Sequence, residues 1–220
     1  MKRQLIETED GSHSFYLPEL DEHFHSTHGA IQESQHVYIE AGLKQISKNK
    51  VHIFEAGFGT GLNALLSIVE SDKSGQNIHY YGIEKYPLIQ EEYTRLNYSN
   101  LTGFDCQPTF LSMHECQWEK PLKLTANFHF TKIKNDLTTF SFDAFPFFDL
   151  VYYDAFAPNK QGNVWDKAIF KRIYEHCAPD AILVTYCARG EVRRTLQAVG
   201  FRTERIPGPP GKREMLRAIK

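Results

Sequence analysis

The sequence predicts an α/β fold in which a mostly parallel sheet of seven strands, one of them antiparallel, follows an N-terminal extension. Three observations support this prediction. Short apolar runs alternate along the chain with segments whose apolar residues recur at helical spacing. A glycine-rich turn follows the first apolar run. The last two apolar runs are joined by a Pro-Gly-rich turn at 207–211, which predicts a terminal hairpin and hence the antiparallel strand.

The predicted strands follow from the short apolar runs, and the predicted helices follow from apolar residues at helical spacing. In the extension, Val37, Ile39 and Leu43 can bury one side of a short helix. Helices are expected from residue 62 onward and over 88–97, 113–118, 166–176 and 190–199. The seven strands are expected at 51–54, 78–83, 127–133, 148–153, 181–186, 202–206 and 213–219.

Length and composition predict one domain, with 1–45 as the extension and 46–220 as the core. The 220 residues are 41% hydrophobic and carry a net charge of −2, which suits a single α/β domain with a full core. No apolar run reaches the length of a transmembrane helix, and the first residues turn acidic at once. We therefore expect a cytoplasmic monomer that does not contact a membrane.

The glycine-rich turn is the most informative motif. Gly57, Gly59 and Gly61 alternate between a predicted strand and a predicted helix, where glycine permits a ligand to approach backbone amides closely. A dinucleotide fingerprint would place the third glycine one residue later. Glu55 precedes the loop and favours a ligand with an ammonium and a sulfonium over a pyrophosphate. A turn that binds no ligand is the competing interpretation.

Acidic residues follow three of the predicted strands. Glu84 comes after the second strand, some twenty residues beyond the glycine loop, where a carboxylate can accept both ribose hydroxyls. Asp136 follows the third strand, and in such folds an acid there commonly meets the adenine amino group, although capping a helix is an alternative. Asp154 ends the fourth strand opposite the glycine loop, where ligands bind in such sheets, and a capping role again competes.

Histidine and cysteine patterns do not predict a metal site. His23, His25 and His28 could be drawn as ligands, but their spacing matches no known helix or knuckle arrangement. The four cysteines form no Cys-x-x-Cys pair, so we expect them to be reduced and mostly buried.

The charge distribution is asymmetric. Residues 186–220 hold nine Lys or Arg and three Asp or Glu, although the whole chain is mildly acidic. A basic region of this kind predicts contact with a polyanion, and a solvated basic face is the competing interpretation.

Several of these motifs resemble one known family. The acid-x-Gly-x-Gly-x-Gly loop resembles the first motif of Rossmann-like S-adenosylmethionine (SAM) methyltransferases, and Asp154-x-Phe156-x-Pro158 resembles the Asp/Asn-Pro-Pro-aromatic motif of amino-group methyltransferases. Most of the chain is similar to the methyltransferase module of the bacterial tRNA 5-methylaminomethyl-2-thiouridine biosynthesis enzymes (MnmC type). The matching stretches are 33–38, 55–63, 84–88, 154–160, Trp165, 193–201 and 211–216.

The resemblance implies a class I SAM-dependent methyltransferase. It would N-methylate the 5-aminomethyl group of the wobble uridine in the anticodon stem-loop of tRNA. The implied form stands alone, without the FAD-dependent domain of the bifunctional enzymes, so an oxidoreductase or an aminomethylating complex would supply its substrate. Ala155 stands where the family often has glycine, a small-for-small change.

The motifs and this resemblance together assign three sets of site residues. The catalytic set comprises Asp154, Phe156 and Pro158. The cofactor-binding set comprises Glu55, Gly57, Gly59, Thr60, Gly61, Asn63, Glu84, Lys85, Asp136 and Asp154. The tRNA-binding set comprises Arg189, Arg193, Arg194, Lys212 and Arg213.

Three other functions stay open at this point. The same motifs would serve a methyltransferase that acts on a small-molecule or protein amine. An aminopropyltransferase is related, but its paired-Asp strand-end signature is missing. A nucleotide-binding subunit without catalysis belongs to a different class.

Overall fold

A computed structural model describes residues 2–102 and 106–220. The N-terminal part forms a small antiparallel sheet of three strands: β1 (Gln4–Glu7), β2 (His13–Leu17) and β3 (Glu22–His23). The helix α1 (Ala30–Ser34) follows and continues as a π-helical turn over Gln35–Glu40 and a 3-10 turn over Leu43–Gln45. The predicted apolar side of this segment is confirmed, because Val37, Ile39 and Leu43 are fully buried.

The central sheet contains one strand more than the sequence predicted. Its strands are β4 (Lys50–Ala56), β5 (Asn77–Glu84), β6 (Leu122–Lys123), β7 (Phe128–Lys134), β8 (Phe148–Tyr153), β9 (Cys177–Thr185), β10 (Arg202–Pro207) and β11 (Glu214–Ile219). Their order in the sheet is β10-β11-β9-β8-β4-β5-β7-β6. The additional strand, β6, has two residues and pairs antiparallel with β7, so the sheet has two antiparallel strands, β6 and β11. A two-residue strand is too short to give an apolar run.

Helices cover both faces of this sheet, and alternate strand residues pack against each side. On β8, Tyr152 joins the core beneath α2 and the π-helical turn, whereas Tyr153 joins the core beneath α6 and α7. The period-2 alternation of strand side chains explains why both are fully buried. The helices are α2 (Leu62–Ser74), α3 (Gln90–Tyr93), α4 (Tyr98–Leu101), α5 (Gln107–Glu115), α6 (Lys167–Glu175) and α7 (Gly190–Val199).

One predicted helix is wrong in its extent. The segment 88–97 forms only the short α3, and α4 begins separately after Asn97. The side chain of Asn97 accepts a hydrogen bond from the amide of His13 (2.8 Å) and donates to the carbonyl of Gly11 (2.9 Å). This asparagine therefore ties the segment to the N-terminal sheet instead of continuing a helix, and the sequence gives no local sign of such a long-range contact.

The cysteines agree with expectation, since all four are free thiols and all but Cys116 are buried. Among the residues that the structure describes, no helix is both long and apolar enough to cross a bilayer. Within the same residues, no three His, Cys, Asp or Glu side chains are grouped as metal ligands would be.

Candidate active site

The glycine loop follows β4 and lies between the ends of the two strands that flank β4, which are β8 and β5. Gly57, Gly59 and Gly61 all have positive φ (95°, 51° and 77°). A Cβ atom on Gly57 would lie 2.4 Å from the carbonyl oxygen of Asp154, so only glycine lets the loop pass this close to the end of β8. On its other side, the amide of Gly57 donates to the carbonyl of Ile83 at the end of β5 (3.2 Å).

A cavity of about 350 Å³ opens at the carboxyl ends of the parallel strands. This is the position at which sheets of this topology bind ligands, and the volume lies within the usual range of about 300–1,000 Å³ for small-molecule sites. The glycine loop forms one part of the lining, and β3 with the residues that follow it forms another.

Glu84 connects the end of β5 to the glycine loop. Its Oε2 accepts a hydrogen bond from the amide of Gly59 (3.0 Å), and its Oε1 accepts one from the amide of Tyr86 (2.7 Å). Both carboxylate oxygens are therefore fixed in direction, and the side chain lines the cavity. The position suits the ribose-binding role predicted from the sequence.

Lys85 and Asp136 form an ion pair at the same end of the cavity. Their Nζ and Oδ2 atoms are 2.7 Å apart, and both residues line the cavity. Asp136 also accepts hydrogen bonds from the amide and hydroxyl of Thr138 (2.9 and 2.7 Å). The hydrogen bonds from Lys85 and Thr138 lower the pKa of Asp136 to about 2. Asp136 thus stabilises a turn and faces the cavity, and no helix of the described residues begins there for it to cap.

Asp154 lies in the inner wall of the cavity and shares a hydrogen-bond donor with Glu55. Asn63 Nδ2 donates to Asp154 Oδ2 and to Glu55 Oε1, each at 2.8 Å. Glu55 and Asn63 are almost fully buried, at 0% and 2% exposure, and are absent from the described lining of the cavity. The structure therefore places these two predicted cofactor-binding residues outside the described lining, where Asn63 holds Asp154 and Glu55 accepts from the same amide.

Burial changes the proton affinity of both carboxylates. It raises the pKa of Asp154 to about 7, and the hydrogen bond from Asn63 opposes this effect. It also raises the pKa of Glu55 well above its usual value, because the Glu55 side chain lies wholly inside the protein. Near neutral pH, Asp154 can therefore gain or lose a proton, as a group that exchanges protons with a substrate must.

Comparison with a family model settles the class of protein. Residues 107–220, just over half of the chain, match the model described as S-adenosyl-L-methionine-dependent methyltransferase. The chain belongs to this methyltransferase family. The matched part of the methyltransferase includes Asp136 and Asp154 but not the glycine loop.

Curated relatives extend the similarity over nearly the whole methyltransferase. A tRNA 5-methylaminomethyl-2-thiouridine biosynthesis bifunctional protein MnmC from Cupriavidus necator is 30% identical over 218 residues, which cover 91% of this chain and 32% of the relative. A protein of the same name from Aeromonas hydrophila is 28% identical over 220 residues, 90% of this chain and 32% of the relative. The methyltransferase thus spans about a third of the length of these relatives.

Solved structures confirm the fold of the methyltransferase. The structure of MNMC2 from Aquifex aeolicus has a TM-score of 0.81 at 22% identity and covers 99% of this chain and 69% of that one. A spermidine synthase from Thermotoga maritima has a TM-score of 0.54 at 10% identity and covers 98% of this chain and 71% of that one. At such identities these likenesses show the Rossmann-like fold alone.

The cofactor of this family is SAM, and the residues of the cavity fit it. Gly57 and Asp154 both line the cavity, and the absence of a Cβ on Gly57 lets the loop lie against the end of β8 there. Glu84 offers two oriented oxygens to hydroxyl groups, and the pair of Lys85 and Asp136 lies beside it. We expect Glu84 to hold the ribose of SAM in the methyltransferase. The amides of Gly57 and Gly59 already donate to Ile83 and Glu84, so the expectation of free loop amides does not extend to them.

Aromatic residues form the opposite part of the cavity. Phe156 lines it and packs edge-to-face on Phe24, with ring centroids 5.3 Å apart. The backbone carbonyl of Phe156 accepts a hydrogen bond from Trp165 Nε1 (2.8 Å), which fixes the loop after β8. Pro158, the third predicted catalytic residue, is absent from the described lining. The structure therefore places Pro158 in the loop after β8, outside that lining.

Sequence reasoning missed the cavity residues that the N-terminal segment supplies. His25 is buried, and its Nε2 lies 2.7 Å from the hydroxyl of Thr60 in the glycine loop. Burial lowers the pKa of His25 to about 4, so the imidazole is neutral. Arg3 also lines the cavity and pairs with Glu92 (2.8 Å). The sequence showed His25 only as part of a weak metal pattern, because its partner is 35 residues away.

The five basic residues predicted to bind tRNA occupy different environments. Lys212 lines the cavity and pairs with the buried Glu33, so it is not a free surface cation. Arg189 donates to Asn159 Oδ1 (2.8 Å) and thereby contacts the loop after β8. The other three have no carboxylate oxygen within 4.0 Å among the described residues: Arg193, which is partly buried, and Arg194 and Arg213, which are exposed.

Proposed function

We propose that this chain transfers a methyl group from SAM to the nitrogen of the 5-aminomethyl group on 5-aminomethyl-2-thiouridine, the modified wobble uridine of tRNA. The product is 5-methylaminomethyl-2-thiouridine. The names of the curated relatives support this substrate, and the position of Asp154 supports an amine acceptor. A tRNA substrate places the reaction in the cytoplasm.

The observation that carries this proposal is the location of Asp154 between the glycine loop and the aromatic part of the cavity. An alkylamine has a pKa of about 10, so most of it is protonated at neutral pH and cannot attack. A carboxyl group with a pKa of about 7 is about half ionised under the same conditions. Its ionised form can orient the amine and accept the proton that nitrogen loses as the new N–C bond forms.

The protein contributes alignment as well as proton transfer. When bound, SAM supplies the methyl group on a positively charged sulfur that leaves as a neutral thioether. Nucleophile, methyl carbon and sulfur must lie in line, which the glycine loop on one side and Asp154 on the other can enforce. The proton taken up by Asp154 then passes to solvent, and the carboxylate is ready for another turnover.

Phe156 and Tyr186 are two of the aromatic residues that can contact the uracil ring. Both line the cavity. Tyr38 is only 1% exposed, so it cannot stack on a substrate base. Tyr16 packs against His23, with ring centroids 4.8 Å apart, and is absent from the described lining. A base that leaves the anticodon loop could thus be held between aromatic side chains, as is common in RNA recognition.

Methylation of tRNA by the purified chain is the direct test. The protein is incubated with SAM and with tRNA that carries 5-aminomethyl-2-thiouridine, and nucleosides are then analysed by mass spectrometry. We expect 5-methylaminomethyl-2-thiouridine together with one S-adenosylhomocysteine per product. Turnover on free amines but not on tRNA would favour the small-molecule or protein-amine alternative. Cofactor binding without turnover on either would favour the non-catalytic subunit.

The exposed arginines near the terminal hairpin are expected to contribute to tRNA affinity. Changing Arg194 and Arg213 together to alanine should raise the Kd for tRNA and reduce the salt dependence of log K by about one or two units, because each phosphate contact releases counterions. Filter binding over a salt series measures both quantities. The matched control is Lys120→Ala with Lys123→Ala, since these exposed lysines lie at or beside β6 at the opposite edge of the sheet. Equal slopes for both double variants would mean that the arginines form only a solvated face.

A separate activity must supply the aminomethyl group, because the proposed reaction begins with it in place. The names of the curated relatives describe bifunctional proteins, of which this chain matches about a third. We propose an oxidoreductase or an aminomethylating complex as the source of the substrate, acting before this methyltransferase.

A further inference from the structure

A charge pair in the cavity wall has no role in the reaction described so far. Glu33 on α1 is 6% exposed, and its Oε2 accepts a hydrogen bond from the amide of Ser26 (2.7 Å). Its Oε1 pairs with the ammonium of Lys212, which comes from the turn between β10 and β11. Both side chains line the cavity, so this pair faces any acceptor that enters.

Tyr186 connects this pair to the catalytic strand end. Lys212 Nζ lies 4.0 Å from the centroid of the Tyr186 ring, a distance at which a cation is attracted to the ring face. The Tyr186 hydroxyl donates to the carbonyl of Ala155 (2.8 Å), the residue directly after Asp154. A continuous series of contacts therefore joins α1, the terminal hairpin, the end of β9 and the end of β8.

We propose that the Glu33–Lys212 pair is the electrostatic partner of Asp154 and that its two opposite charges offset each other, so that the proton affinity of the catalytic carboxylate stays near the value that burial gives it. The importance of this role for catalysis rests on the proposed function, whereas the electrostatic coupling does not. Glu33 and Lys212 act through Asp154, so they are positioning residues rather than catalytic ones.

The two charges act on Asp154 in opposite directions. The negative charge of Glu33 raises the pKa of Asp154 and the positive charge of Lys212 lowers it, in addition to the larger effect of burial. Because the pair is neutral as a whole, the intact pair changes Asp154 little, and loss of either partner leaves one uncompensated charge in the cavity wall. Among the described residues, the other polar or titratable groups that interact with Asp154 are Tyr38, Glu55, Asn63, Tyr80 and Tyr186.

Carbon-13 NMR of the Asp154 carboxyl group in the free protein tests the coupling directly. The signal is assigned by its loss in Asp154→Asn, and its pKa is then read from a pH titration. We expect Glu33→Gln to lower this pKa by about one unit and Lys212→Met to raise it by about one unit, as a nearby charge does in a partly desolvated site. The double variant should titrate close to the wild type, because it restores neutrality.

Conservative substitutions keep the experiment interpretable. Glutamine at 33 can still accept from Ser26. Methionine at 212 keeps an unbranched apolar side chain and removes the charge that lies over Tyr186. The matched control is Glu204→Gln, which breaks an ion pair with Arg217 (2.9 Å) on the same hairpin, and we expect it to leave Asp154 unchanged. If either single variant is too unstable to titrate, the remaining single variant should still shift the pKa of Asp154 by about one unit while the double variant leaves it unchanged, and this difference decides the matter.

The outcomes separate the two proposals. A pKa of Asp154 that stays within about 0.3 unit in both single variants would overturn the inference, whatever the protein methylates. If the predicted shifts occur, the pH profile of kcat/KM for tRNA should move in the same directions, since free-enzyme groups control that parameter. Shifts by NMR without any methylation of tRNA would refute the proposed function and leave the coupling intact.

Discussion

Changing Asp154 to asparagine is expected to lower the rate of methyl transfer by about 10²–10⁴-fold, the usual contribution of a positioned general base. Asparagine has the same shape and its Oδ1 can still accept from Asn63, so the wall of the cavity should be preserved. What it lacks is the ability to accept a proton from the amine. Single-turnover rates at saturating SAM and tRNA measure the effect without interference from product release.

Stability should not account for this loss. Because the pKa of Asp154 is raised to about 7, the folded state disfavours its charged form relative to the unfolded state. The stabilisation linked to this group is present below its unfolded pKa of about 3.8 and is lost as the pH rises through about 7. At neutral pH asparagine removes that cost, and we expect a Tm equal to or above that of the wild type.

The matched control is Asp143→Asn. Asp143 lies in an exposed loop, where its side chain accepts from Ser141 (2.7 Å), so this variant should keep the wild-type rate. A rate within about threefold of the wild type for Asp154→Asn would show that another group, or water, removes the proton. The pH profile would then be expected to lack an inflection near 7.

Sequence patterns were sufficient for seven of the eight strands of the central sheet and for the edge at which the cavity lies. The apolar runs correspond to β4, β5, β7 and β8, and the acids predicted at their ends, Glu84 and Asp154, line one cavity. These predictions are reliable because strand period, turn chemistry and the carboxyl-end position of ligands are local or topological properties.

The part that sequence patterns could not give depends on contacts between distant segments. The place of His25 in the site depends on its contact with Thr60. The environment of Lys212 depends on its ion pair with Glu33, which is 179 residues away. Counted with the basic residues of the C-terminal region, Lys212 was grouped with surface cations. Its ion pair with a buried carboxylate on α1 depends on the tertiary structure, which a count of charges along the chain does not show.

A second limit of the sequence predictions concerns how deeply a residue of a motif is buried. Glu55 and Asn63 belong to the glycine-loop motif. A motif does not distinguish a residue that contacts a ligand from a residue that only supports such a contact. In the structure, neither is in the described lining of the cavity, and the Asn63 amide donates to both Glu55 and Asp154. Burial on the central strand β4 decides this, since Glu55 pairs with Gly82 on one side and Tyr152 on the other.

Changing Glu84 to alanine is expected to weaken SAM binding by about 2–4 kcal/mol, or about 30- to 1,000-fold in Kd, as loss of two charge-assisted hydrogen bonds does. Part of the loss would come from the ribose and part from the glycine loop, because Glu84 also accepts from the amides of Gly59 and Tyr86. Calorimetry of SAM binding measures the total. Glu91→Ala, at an exposed position on α3, is the matched control and should bind SAM normally.

A double-mutant cycle with the cofactor separates those two parts. A SAM analogue without the ribose 2′-hydroxyl should bind the wild type more weakly than SAM does, but it should bind Glu84→Ala with almost the same affinity as SAM. If the analogue loses as much affinity in Glu84→Ala as in the wild type, Glu84 acts only by ordering the glycine loop. If Glu84→Ala folds and binds SAM with unchanged affinity, the carboxylate at the end of β5 has no part in cofactor binding.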